Sequence, residues 1–231
     1  MSNHTDAPGA PAADLAEGPR PVTNDPATQQ GARDRRSRSA TRLKLIERAP
    51  AVFAEHGIEG ASVSDLCAAA NFTRGAFYSN FETKTELAVA VFEHLARHLT
   101  ETLDSQLDQW LDSGLDMETV VTRIIQGITD RVSDPNQQAV RVELFLAAFR
   151  SPEVRRAVVP IRDLVHGAIE QALTRVAESQ HLEFVVPPQE VARLMVASYS
   201  GVLTDHMAVG GAEGGVRYII PTMWLAFTRP A

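Results

Sequence analysis

The sequence predicts an all-α chain, and three observations carry that expectation. Apolar residues recur at spacings of three and four along most of the chain beyond residue 39, and no stretch alternates apolar and polar as a half-buried strand would. Pro135, Pro152 and Pro188 sit where such runs begin, a position at which the missing N–H costs no helical bond. Residues 62–81, SVSDLCAAANFTRGAFYSNF, read as two short helices about a tight turn, a helix-turn-helix.

Residues 1–36 hold many Ala, Pro, Gly, Asp and Gln without periodicity and are expected to be a disordered tail. Over 33–48, Arg33, Arg35, Arg36, Arg38, Arg42, Lys44 and Arg48 face only Asp34 and Glu47, so a net charge of −7 conceals a basic front end. Two uses fit those arginines: an arm reaching a minor groove, or a solubilising tail. The first helix is expected over about 39–56, with Leu43, Ile46, Ala49, Pro50 and Phe53 on one face, a kink at Pro50 and a left-handed end at Gly57.

The second helix starts at Ser62, an N-cap whose partner Asp65 stands three residues on, and carries Val63, Leu66, Cys67 and Ala70 on one stripe. Asn71 tolerates the left-handed conformation that ends a helix, and Thr73 offers the next N-cap at once. In the third helix Phe77 and Phe81 anchor one face, which leaves Thr73, Arg74, Gly75, Tyr78 and Asn80 near the other. Gly75 costs about 1 kcal/mol against Ala in a helix, a cost that makes sense where another backbone approaches closely. A guanidinium fork, hydroxyls and an amide suit phosphates and major-groove base edges: Arg74 for base readout, Tyr78 for a phosphate or thymine methyl. Ser62, Thr73, Asn80 and Lys84 complete the expected DNA-binding set as phosphate contacts. The alternative is an ordinary helical corner with a solvated face.

The block AFYSNF at 76–81, Lys84 just inside the next helix, and AVFAEHGIEGAS at 51–62 together resemble the TetR family of bacterial transcriptional regulators over about residues 38–98. The family usually has glycine where Asn71 stands, histidine where Asn80 stands, and a good helix former where Pro50 stands. The resemblance implies a helix-turn-helix DNA-binding domain over 37–84, then a larger helical effector-binding and dimerisation domain over 85–231. It further implies a repressor that binds double-stranded palindromic operator DNA as a homodimer and is released by a small-molecule inducer, with the last two helices pairing between subunits. A constitutive DNA binder without an effector is the main alternative.

Thr83 and Glu86 form a second capping pair, and Leu87, Val91, Leu95, Leu99, Leu103, Leu107 and Trp110 continue a long helix toward Gly114. Further helices are expected over 117–133, 136–150, 152–180, 188–209 and 215–228, with Pro160 and Pro221 kinking or dividing two of them. Trp110, Phe145, Phe149, His166, Met195 and Tyr199 are the candidate pocket residues under the resemblance; from the residues alone they read first as plain core.

The remaining chemistry is sparse. His94, His98 and Glu101 have the spacing of a helical metal site but lack a zincin motif, so exposed helix-face histidines are the first reading, a metalloenzyme a remote one, and neither metal nor cofactor is expected. His166 and His206 read first as satisfied core histidines. Cys67, the single cysteine, excludes an intramolecular disulfide, and its place among alanines reads as a small buried residue before a redox sensor. No catalytic signature is found, so no enzyme is expected. With no apolar run approaching ~20 residues and no signal-peptide core, a soluble cytoplasmic protein is expected.

Overall fold

The computed structural model describes residues 26–111, 134–210 and 214–231, together with Met1, Thr119 and Arg123. Among them are eight helices and one strand pair: α1 (Pro26–Gly60), α2 (Val63–Ala70), α3 (Arg74–Tyr78), α4 (Lys84–Leu111), α5 (Pro135–Arg150), α6 (Pro152–Ser179), β1 (Leu182–Phe184), α7 (Pro188–Val209), α8 (Gly214–Phe227) and β2 (Thr228–Pro230). The chain divides into two compact units, Met1–Ser37 and Arg38–Ala231.

The first helix departs from expectation in three ways. It begins at Pro26, so residues 26–36 are helical rather than unstructured. Nucleation is the costly step, and extension through Ala, Gln and Arg adds a bond for each residue fixed. The rest of the expected tail lies outside the described residues. Leu45, 1% exposed, takes the core position assigned to Leu43, which is 43% exposed. Helical backbone persists through the buried Pro50, and the one non-helical residue inside α1 is Gly57, at φ 70° and ψ 163°. Ile58 is buried just beyond it, and its N–H donates to Glu143 Oε2 at 2.7 Å. A Cβ at Gly57 would lie 3.0 Å from Glu143 Oε1, so glycine answers both the positive φ and the crowding.

The two short helices form as their end residues dictate. Ser62 Oγ accepts from the Asp65 N–H at 3.1 Å while Asp65 Oδ2 accepts from the Ser62 N–H at 3.3 Å, a complete capping box. Those bonds from Ser62 hold the Asp65 carboxyl below the ordinary carboxylate range. Asn71 ends α2 in the left-handed region, at φ 59° and ψ 46°, and Thr73 Oγ1 caps α3 by accepting from the Ala76 N–H at 3.2 Å. Leu66, Cys67 and Ala70 are buried from α2; Phe77 and Phe81 are buried from α3 and the turn after it.

Their core is continuous with that of the later helices. Phe53, Phe77, Phe81 and Leu87 share one cluster with Val140 and Leu144 of α5 and Val158 and Ile161 of α6. Beyond it α4 packs mainly on α6, α6 on α5 and α7, and α7 on α8. The four described later helices begin and end within a residue of expectation; the one expected over 117–133 lies outside the described residues. Pro160 and Pro221 sit inside unbroken helices instead of dividing them. One element was not expected: β1 pairs antiparallel with β2, Leu182 opposite Pro230 and Phe184 opposite Thr228. Three residues a side are too few to show a period of two. Among the described residues no helix is long and apolar enough to cross a membrane.

Two substitutions separate cap from core. Ser62→Ala should lower unfolding free energy by about 1 kcal/mol through loss of the capping box, and Phe77→Ala by about 3–5 kcal/mol through the cavity it leaves. Urea midpoints on the full chain measure both.

Candidate functional site

The first candidate is the outward face of α3. With Phe77 wholly buried and Thr73 fixed as N-cap, Arg74, Gly75 and Tyr78 are exposed, Tyr78 by 53%. Tyr78 stands edge-on to the Phe77 ring at 5.4 Å, so its ring is steadied while its far side faces out. At Gly75 an added Cβ would meet only Thr73 Oγ1, at 3.8 Å. The chain itself therefore does not require glycine there, whereas a surface pressed against the helix would.

Three of the expected phosphate contacts turn out to have work inside the protein. Ser62 Oγ donates to Asp65 Oδ2 at 2.6 Å as part of its cap. Asn80 Nδ2 donates to Ala76 O at 2.8 Å and to Ser79 Oγ at 3.2 Å, closing the end of α3. Lys84 Nζ donates to Glu59 O at 2.6 Å and Ala61 O at 2.8 Å, the carbonyls where α1 ends. Those two acceptors offset the penalty of a lysine at a helix N-terminus without any phosphate. Arg42, counted only within the basic cluster, has a defined post: its guanidinium lies 4.2 Å from the Phe81 ring centre and donates to Asn80 O at 2.8 Å. It ties α1 to the end of α3. Arg35, Arg36, Arg38 and Arg48 remain exposed on α1.

The second candidate is a cavity of about 330 Å³ among α4, α5, α6, α7 and α8. Of the six expected lining residues, Phe145, His166, Met195 and Tyr199 reach it. Two do not. Trp110 is half-buried at the far end of α4, with Trp224 of α8 at the cavity instead, and Phe149 is 80% exposed beside a separate shallow groove. The sequence reading passed over Arg141 and Gln138, whose signal is their spacing from Phe145 on one face of α5. Burial pushes the Arg141 guanidinium pKa down, and burial, then Arg162, do the same for the His166 imidazole.

The other candidates do not form sites. His94, His98 and Glu101 are exposed, and among the described residues no three of His, Cys, Asp and Glu converge as metal ligands. Cys67 is buried and desolvation raises its thiol pKa, the opposite of a reactive thiolate. His206, expected to be satisfied, has a buried Nδ1 with no partner among the described residues.

Comparison with known proteins converges on one family. Residues 45–91 match the description "Bacterial regulatory proteins, tetR family", and residues 85–223 match "Tetracyclin repressor-like, C-terminal domain". A "Probable acrEF/envCD operon repressor" of Escherichia coli is 53% identical over 47 residues, a span of 20% of this chain and only 21% of that protein. The HTH-type transcriptional repressor AcnR of Corynebacterium efficiens is 24% identical over 191 residues, 82% of this chain and 94% of that one. The structure of SmeT, repressor of the Stenotrophomonas maltophilia multidrug efflux pump SmeDEF, in complex with triclosan superposes with a TM-score of 0.62 at 21% identity, over 82% of this chain and 92% of that one. With its helix-turn-helix and its C-terminal helices both matched, the chain belongs to the TetR family of bacterial transcriptional regulators.

Proposed function

We propose that this chain is a homodimeric transcriptional repressor that holds near-palindromic operator DNA with two copies of α3 and lets go when a small molecule occupies the cavity. The observation that carries the reading is the outward face of α3: a fork, a bare backbone and a phenol exposed on a helix whose back is fully buried. Two such helices would enter successive major grooves about 34 Å apart. Arg74 reads a base edge, Gly75 admits the DNA backbone, and Tyr78 meets a phosphate or thymine methyl. Thr73, and the one Lys84 ammonium hydrogen not given to a carbonyl, add phosphate contacts that set register. Ser62 and Asn80 shape this surface from within. The relatives described as repressors, and the triclosan held by SmeT, support the reading.

The partner surface lies on α7 and α8. Leu194, Tyr218 and Leu225 are exposed there, Leu225 by 77%, and a second copy of the same helices would cover them. The effector signal would travel along α5 as well as α4. Arg141 and Phe145 of α5 border the cavity, and Glu143 between them accepts from the Ile58 N–H at the break in α1. A ligand that shifts α5 therefore shifts the end of the helix packed behind α3. Coupling of ~1–3 kcal/mol changes operator affinity ~5- to 150-fold, enough to derepress without abolishing nonspecific binding.

Selection of bound fragments from random DNA, followed by anisotropy titrations on single-base variants, tests the division of labour. Arg74→Ala should relax preference at one position per half-site, by about 1–3 kcal/mol, with the urea midpoint unchanged. Lys84→Ala should weaken all variants alike and flatten the salt dependence. Equal loss on every sequence from both substitutions, or no duplex bound by the wild type, would sink the assignment. Leu225→Glu should yield a monomer in light scattering and lose operator binding while its helical circular dichroism persists.

A further inference from the structure

Of the three arginines on the wall of a largely apolar cavity, Arg141 is the one without a countercharge among the described residues. Arg141 Nε donates to Gln138 Oε1 at 2.5 Å, and its Nη2 donates to Thr204 Oγ1 at 3.1 Å and to Ser200 O at 3.5 Å. Each acceptor is neutral. Its Nη1 makes no hydrogen bond among the described residues, and no described carboxylate lies within ion-pair distance. Asp205 borders, with Arg141, only the separate shallow groove, and Glu143 on the same helix is committed to Ile58. The other two arginines at the cavity already have partners: Arg162 is 2.8 Å from Asp163, and Arg193 is 2.7 Å from Glu190.

A guanidinium does not escape burial by losing its proton, so Arg141 stays charged where water is scarce. Such a group is stabilised by an oxyanion that enters with the ligand. Its plane is steadied by Phe145, whose ring centre is 5.4 Å away, and Phe145 in turn meets Phe92 edge-on at 5.7 Å. His166 is not a rival anchor, because burial and the neighbouring Arg162 and Arg193 favour its neutral form against the pull of Asp163. We infer that the effector is an amphipathic organic acid: its carboxylate meets the Arg141 fork, and an aromatic or aliphatic body fills the apolar remainder of the cavity. This rests on the reading of that cavity as the effector site. The volume, about 330 Å³, lies at the small end of the ~300–1,000 Å³ typical of ligand sites, which favours one compact acid over a large conjugate.

Paired probes isolate the head group: decanoate against decanamide, 4-phenylbutyrate against 4-phenylbutanamide, and 2-naphthoate against 2-naphthamide, each titrated calorimetrically into the full chain without DNA. In at least one pair the acid should bind wild type on the order of 30-fold more tightly than its amide, the scale of one buried charge-assisted contact. Arg141→Gln should abolish that preference while the amide still binds, and Arg141→Lys should keep part of it. Wild type that binds acids no better than amides, or binds no acid, overturns the proposal, as does Arg141→Gln with the preference intact. Should Arg141→Gln fail to fold, Arg141→Lys decides, an undiminished preference counting against the fork. Because operator DNA is absent from these titrations, a failure to repress would overturn the proposed function and leave this result standing.

Discussion

Everything outward about this protein depends on one inward fact, the burial of Phe77 and Phe81 under α1 and α4. A five-residue helix has too few internal bonds to persist by itself. It is held because Phe77 is fully sequestered, because Thr73 and Asn80 satisfy backbone groups at its two ends, and because Arg42 pins the last of these from α1. Once the two rings are fixed, helical geometry leaves Arg74 and Tyr78 no course but solvent. The exposure of Arg74 and Tyr78 is thus a by-product of the core, and under the proposed function a substitution in that core would blunt recognition without touching a contact.

The same economy explains why several polar residues that look like DNA contacts are structural. Ser62, Asn80 and Lys84 sit where backbone groups at helix ends lack partners, and their side chains answer those groups first. Asn80 and Ser62 have little left to offer a phosphate. Lys84 has one hydrogen, and its position is fixed by the end of α1, so whatever it touches is referenced to that helix and to the Gly57 break just before it.

Local signals were legible in the sequence, and non-local ones were not. Ser62, Asp65, Asn71 and Thr73 could be read because a cap bonds within three residues, and the helix spans from Pro135 onward because prolines and periodicity mark them. Leu45 displaced Leu43 because the face of a helix that points inward is chosen by what packs against it. Of the pocket residues, Phe145, His166, Met195 and Tyr199 were found, yet Phe149 and Trp110 were not at the cavity: spacing selects a helix face without telling a lined cavity from open solvent. Arg141 was not legible for a related reason, since its significance lies in neutral partners 3 and 63 residues away and in the lack of a charged one among the described residues.

The route proposed for the effector signal follows from the way α5 is used on opposite errands. Residues two apart on a helix point about 200° from one another, so Arg141 and Glu143 must serve different neighbours. The one addresses the cavity and α7; the other addresses the backbone at the α1 break, where Gly57 leaves no room for a side chain. Because Val140 and Leu144 on the same helix are wholly buried in the core beneath α3, α5 cannot yield locally at either point. Under the proposed function, a force applied at Arg141 would be borne by the helix as a body and delivered at Ile58, so that the position of α1, and through Arg42 that of α3, is the quantity a ligand would adjust.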